Sequence, residues 1–157
     1  MKKFVAIALV LVLVLGLCAT AFAGYYPTVK FSTKNKSFKY GKTITLKVKC
    51  YQGTGPFNKV WSSSDKEWIW RAGVDVYAKR GSKNTMIMSK NFTSNPMITE
   101  KYKYGSEKYT KAFAMPAAGK IHKYKLSAIS FYRPTSGYTV YGWVKYKTVY
   151  TNMYIYR

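Results

Sequence analysis

Between residues 43 and 51 the chain alternates apolar and polar side chains. Ile44, Leu46, Val48 and Cys50 share one parity, and Thr45, Lys47 and Lys49 share the other. A period of two marks an extended strand with one buried and one wet face, because successive side chains of a strand point to opposite sides. The pattern recurs. In residues 68–79, Trp68, Trp70, Ala72, Val74, Val76 and Ala78 oppose Arg71, Asp75, Tyr77 and Lys79. In residues 120–131, Tyr124, Leu126 and Ala128 oppose Lys123, Lys125 and Ser127. Helical periodicity is hard to find beyond the first two dozen residues, and the abundant tyrosine, threonine and valine suit a half-buried pleated surface.

Turn chemistry separates these runs. Gly41, the segment Gln52-Gly53-Thr54-Gly55-Pro56, Gly81, Ser94-Asn95-Pro96, Gly105 and Pro134-Thr135-Ser136-Gly137 punctuate the chain at hairpin-like spacing. Residues 54–67 form the longest stretch without alternation and read as an irregular loop. No fixed-period repeat and no linker divides the sequence. The pattern predicts an all-β antiparallel sandwich of about 7–9 strands.

Phe113-Ala114-Met115-Pro116-Ala117-Ala118-Gly119, followed by a strand over 120–131, resembles the E–F corner of bacterial immunoglobulin-like domains. Tyr124, two residues before Leu126, stands where such domains place a corner tyrosine. Cys50 on an early strand and Trp68 or Trp70 on the next extend the likeness, which covers most of residues 40–150. Leu126 departs from the antibody pattern by standing in place of a second cysteine, and the interval from Cys50 to Trp70 is long. The resemblance implies an immunoglobulin-like β-sandwich and leaves function open.

The first residues carry a different signal. Lys2 and Lys3 precede an apolar run over residues 4–17, and Ala21-Phe22-Ala23 supplies the small residues that signal peptidase requires. The run is shorter than the roughly 20 residues of a membrane span, and Leu17 before Cys18 fits a lipoprotein site poorly. Residues 1–23 are therefore read as a secretory signal peptide and residues 24–157 as one β-sandwich domain. Losing Lys2 and Lys3 lowers the net charge from +22 to +20. No second apolar run of spanning length follows, so the expected product is secreted and extracellular, either soluble or held to the cell wall by charge. The two-lysine signal and the lysine-, asparagine- and tyrosine-rich usage point to a Gram-positive bacterium. In such an organism the sequons at Asn35 and Asn91 carry no glycan.

Candidate chemistry is sparse. His122 is the one histidine, which rules out a histidine metal cluster, and its parity with Tyr124 and Leu126 points it inward, as a hydrogen-bonded residue more than a general base. Asp65 and Glu67, beside Trp68, are the one closely spaced acidic pair, a candidate for glycan hydrolysis against the alternative of local charge balance. Cys50 is the single cysteine left after export. It reads as a small buried hydrophobe, with an intermolecular disulfide joining two copies as the alternative. No enzyme, cofactor or metal is expected.

Charge is the strongest functional signal, since Lys and Arg number 27 against 5 acids. Such an excess costs a compact fold self-repulsion and attracts polyanions. Only Arg71, Arg80, Arg133 and Arg157 are arginines. Lysine acts as a point charge where arginine reads phosphate and guanine by a fork, so diffuse attraction is expected and sequence-specific DNA binding is not. Teichoic acid, acidic glycan, extracellular nucleic acid and anionic membrane are the candidate partners. In residues 138–150 one parity holds Tyr141, Trp143, Lys145 and Lys147, and the other Val140, Val144 and Tyr146. With the valines inward, Tyr141, Trp143, Lys145 and Lys147 form a cation–aromatic face suited to stacking on sugars or bases. Residues 101–104 and 108–111 repeat the motif. The alternative is that these aromatics cover sheet faces and pair across strands. A secreted binding module for anionic envelope polymers is the leading expectation, and a bacteriocin-like or toxin-like antagonist of anionic membranes the second.

Overall fold

The computed structural model describes residues 24–33, 36–55, 60–62, 67–69, 71–92, 95–136 and 139–157. The expected signal peptide, Asp65 and Trp70 lie outside them. The fold is all-β, with eight strands in two sheets. Strands β1 (Thr28–Phe31), β3 (Ile44–Tyr51) and β8 (Met97–Tyr102) make a three-stranded sheet in the order β1-β3-β8. Strands β2 (Ser37–Lys39), β12 (Val144–Tyr156), β9 (Ile121–Tyr132), β6 (Ala72–Arg80) and β7 (Lys83–Asn91) make a five-stranded sheet in the order β2-β12-β9-β6-β7. Pairing is antiparallel except for β2 beside β12. Two short ribbons, β4 (Val60–Ser62) with β5 (Glu67–Ile69) and β10 (Thr135–Ser136) with β11 (Thr139–Val140), stand apart from the sheets.

The core fills the space between the two sheets with the apolar parity of each strand. Ile44, Leu46, Val48 and Cys50 of β3 meet Val74, Val76 and Ala78 of β6, Tyr124, Leu126 and Ala128 of β9, and Met153 and Ile155 of β12, all nearly free of solvent contact. The alternation read in β3 and β9 thus marks the buried faces correctly. At about 25 cal/mol per Å² of apolar area removed from water, this core is the main favourable term in folding.

Three elements differ from the expectation. The run 68–79 is not one strand: Trp68 belongs to β5, whose backbone pairs with β4, and the sheet strand begins at Ala72. The tryptophan that the immunoglobulin resemblance placed on this strand is therefore not supplied by Trp68. Secondly, Glu107–Ala112 is a helix, α1. The Ser106 hydroxyl accepts from the Tyr109 amide at its start, and Glu107 and Lys111 form an ion pair one turn apart. One buried edge, Tyr109 and Ala112, is enough to dock so short a helix. Thirdly, β12 carries a bulge: Lys145 pairs with Phe131 and Lys147 with Ser130, leaving Tyr146 extra between them.

Aromatic rings pack edge-to-face along one end of the core. Phe113 meets Tyr102 at 5.3 Å, Tyr109 at 5.6 Å and Tyr124 at 5.6 Å, centroid to centroid. Such pairs add about 0.5–1.5 kcal/mol each beyond area burial. Tyr124 also orders the incoming segment: its hydroxyl accepts from the Ala114 amide at 2.8 Å.

Candidate functional site

Residues directly opposite one another on neighbouring strands share a sheet face. The outer face of the five-stranded sheet can therefore be read in rows running β7-β6-β9-β12. The first row is Asn91, Gly73, Phe131 and Lys145. The second is Ser89, Asp75, Ile129 and Thr148, the third Met86, Tyr77, Ser127 and Tyr150, and the fourth Asn84, Lys79, Lys125 and Asn152. Aromatic and cationic groups thus interleave on one surface. The Lys125 ammonium lies 4.2 Å from the centroid of the Tyr150 ring, which is 60% exposed. An ammonium over a ring face at this range gains about 0.5–1 kcal/mol when solvent-exposed.

Trp143 sits at the first row. It precedes β12, is 41% exposed, and has the Arg133 guanidinium 5.2 Å from its ring centroid. Arg133 is braced in turn by Arg71: the Arg133 amide donates to the Arg71 carbonyl at 2.9 Å, and Arg71 Nε donates to the Arg133 carbonyl at 3.1 Å. Arg71 is 7% exposed, and that burial lowers its pKa while the nearby Tyr25 pushes it back up. The indole leans over Gly73. A Cβ there would meet the Trp143 Cη2 at 3.5 Å and the Asn91 Oδ1 at 3.2 Å. A glycine inside a strand marks such a close approach. Trp143, Phe131, Gly73, Asp75, Ser89, Lys90 and Asn91 enclose a cleft of about 180 Å³.

The expected face of Tyr141, Trp143, Lys145 and Lys147 is divided. Tyr141 is 50% exposed, its amide donating to the Pro134 carbonyl at 3.0 Å. Lys145 shares the outer row with Phe131. Lys147, past the bulge, stands opposite Ser130 on the inner parity and lines a second cleft of about 470 Å³ with Thr28, Val29, Tyr51 and Val149. Beside that cleft, Tyr26 stacks on both Tyr132 and Tyr146 with centroids 4.8 Å apart in each pair. Val144, expected inward, is exposed. Tyr102 and Tyr109 of the two further stripes are fully buried: the first is a core residue of β8 and the second a docking residue of α1. Phe131, Arg133, Gly73, Asp75 and Asn91 were not named as site residues from sequence, although an interior glycine in a strand was a usable signal.

Remaining titratable groups occupy other places. His122 Nδ1 donates to the Ala114 carbonyl at 3.1 Å, and its Nε2 accepts from Arg80 at 2.8 Å. Cys50 is free and buried, and burial pushes its thiol up to about 12. Glu100 pairs with Lys108 and Glu107 with Lys111, whereas Asp75 makes no ion pair among the described residues. Among the described residues no helix is long and apolar enough to cross a membrane, and no three His, Cys, Asp or Glu side chains gather as metal ligands. The chain matches no protein-family model and no curated protein sequence.

Proposed function

We propose that the chain is a secreted, non-catalytic binding module that holds an anionic cell-envelope or extracellular polymer across the outer face of its five-stranded sheet. The observation that carries this reading is the contrast between the two outer faces. Lys30, Lys47, Lys49 and Lys101 line the outside of the three-stranded sheet with one ring, Tyr51, among them. The five-stranded face sets Lys79, Lys125 and Lys145 among Tyr77, Phe131, Tyr150 and Trp143. Charge alone does not distinguish the faces, but rings do. Lysines attract the polymer backbone and open rings stack on its sugars or bases. Teichoic acid, acidic glycan and extracellular nucleic acid fit that description.

An immunoglobulin-like sandwich is part of the proposal. The order β1-β3-β8 against β12-β9-β6-β7 supports it when read as A-B-E and G-F-C-C′, with β2 as a split first strand beside β12. The Tyr124 hydroxyl reaching back to Ala114, within the segment before β9, supports it as a corner tyrosine. The second reading, a cationic antagonist of anionic membranes, rests on the net charge of +22 alone.

Retention on isolated cell walls with and without teichoic acid, across a salt series, tests the module. Binding should fall with added salt and with teichoic acid removal. The pair Lys125→Ala, Tyr150→Ala should weaken it about tenfold, as loss of one cation and one stacking ring predicts at roughly 1–3 kcal/mol. The control pair Lys47→Ala, Lys101→Ala should cost only the salt-sensitive part. Equal losses from both pairs would make the attraction a property of net charge and remove the face from the account.

A further inference from the structure

We propose that the cleft beneath Trp143 is a subsite for one neutral, hydroxyl-rich pyranose ring, so that the polymer held by this face is a glycan. This deepens the binding-module reading and rests on it. The cleft, at about 180 Å³, is smaller than the roughly 300–1,000 Å³ of sites for drug-sized ligands, and suits one ring of a longer chain. Its walls divide by chemistry. Trp143 and Phe131 present aromatic surface, and Asp75, Ser89, Lys90 and Asn91 form the polar side. A pyranose divides in the same way, with C–H bonds on its faces and hydroxyls around its rim. The faces stack on indole and the rim hydrogen-bonds to carboxylate, hydroxyl and amide.

Asp75 selects among polymers. In a chain with 27 basic residues and 5 acidic ones, a carboxylate without an ion pair among the described residues stands inside the cleft. Carboxylate accepts from hydroxyls and repels phosphate. A phosphodiester or a nucleotide phosphate is thereby disfavoured beside Asp75, while Lys90 at the cleft wall, Lys145 in the row of Gly73 and Phe131, and Lys125 farther along remain open to anionic groups elsewhere on the polymer. Gly73 makes the space: any side chain on it would meet Asn91 and Trp143 and close the floor. Its backbone is not in the left-handed region, so a larger residue fills the cleft without forcing the strand. Arg133 against the indole, itself fixed through Arg71, holds the ring in place before any ligand arrives.

The test measures two ligands on the same protein by calorimetry and tryptophan fluorescence: a panel of neutral hexose and N-acetylhexosamine oligosaccharides, and inorganic polyphosphate as a polyanion without sugar. At least one oligosaccharide should bind at millimolar concentration. Trp143→Ala and Gly73→Val should abolish that binding, and Asp75→Asn, which keeps shape and removes charge, should weaken it at least tenfold. Polyphosphate binding should stay within twofold of wild type in Gly73→Val and hold or tighten in Asp75→Asn. Thermal unfolding of each variant checks folding, and Asp75→Asn decides the matter if Gly73→Val does not fold. No oligosaccharide binding, or binding that survives both Gly73→Val and Trp143→Ala, overturns the subsite. Polyphosphate binding without oligosaccharide binding removes the subsite and leaves the anionic-polymer reading standing. Oligosaccharide binding without any polyanion binding keeps the subsite and removes that reading.

Discussion

Ala114 has both of its backbone groups held by side chains of one strand. Its amide donates to Tyr124 and its carbonyl accepts from His122. A polar backbone group that loses its partner in a part-buried place costs about 1–3 kcal/mol. Tyr124→Phe should therefore lower the free energy of unfolding by about 1–2 kcal/mol in a denaturant titration, with the ring packing on Phe113 kept. A change below experimental error would mean that water replaces the hydroxyl. The burial of Tyr124 was legible in the sequence because it shares its parity with Leu126 and Ala128. Tyr109 was not. Flanked by Lys108 and Lys111, it looked like surface, and only the hydroxyl of Ser106 starting a helix turns its ring into the core. That serine, followed by an acidic residue, is a recognisable helix start, yet a six-residue helix leaves too short a period to detect.

At the scale of elements, the bulge in β12 divides the proposed binding face. Strand parity in the sequence runs unbroken through Trp143, Lys145 and Lys147. One extra residue, Tyr146, reverses it and sends the last lysine to the opposite side of the sheet. Lys145→Ala should then reduce retention on cell walls more than Lys147→Ala, which should cost only the salt-sensitive part. Equal effects would place both lysines on one working face and contradict the register. Nothing in the sequence marks the bulge, because Tyr146 is a good strand residue and carries no glycine signature. Similarly, the alternation over 68–79 crosses a break, and burial follows it only from Val74 to Ala78 within β6. Arg71, which stands between β5 and β6, was read on the wet face with Asp75 and Tyr77, yet it is buried. The clean cases, β3 and β9, are those in which one face is wholly buried and the other wet, so that pattern and packing agree.

For the molecule as a whole, alkaline pH should be the weak side. The Cys50 thiol is pushed from 9.0 up to about 12 by burial, and burial likewise raises Tyr102 and Tyr109. Each of these groups keeps its proton longer in the fold than in the unfolded chain. Their contribution is full below the unfolded pKa and is lost as pH rises toward the folded one. Between about pH 8 and pH 10 the Cys50 share of that loss should be about 1 kcal/mol, since a tenfold difference in proton affinity is worth about 1.36 kcal/mol. Cys50→Ala should flatten the pH dependence of unfolding over that interval by this amount, whatever its effect at neutral pH. An unchanged slope would show the thiol to be accessible in the native state.

The position of β12 carries a temporal consequence. Residues 144–156 pair with β9 on one side and with β2 on the other, so the five-stranded sheet is split until they arrive. Contacts between β2 and β12 span more than a hundred residues of chain, and pairings of such separation close slowly. Until residues 144–156 are available, β2 lacks its partner strand among the described residues and β9 is unpaired along one edge. The five-stranded sheet thus cannot be completed before its last strand in sequence has formed.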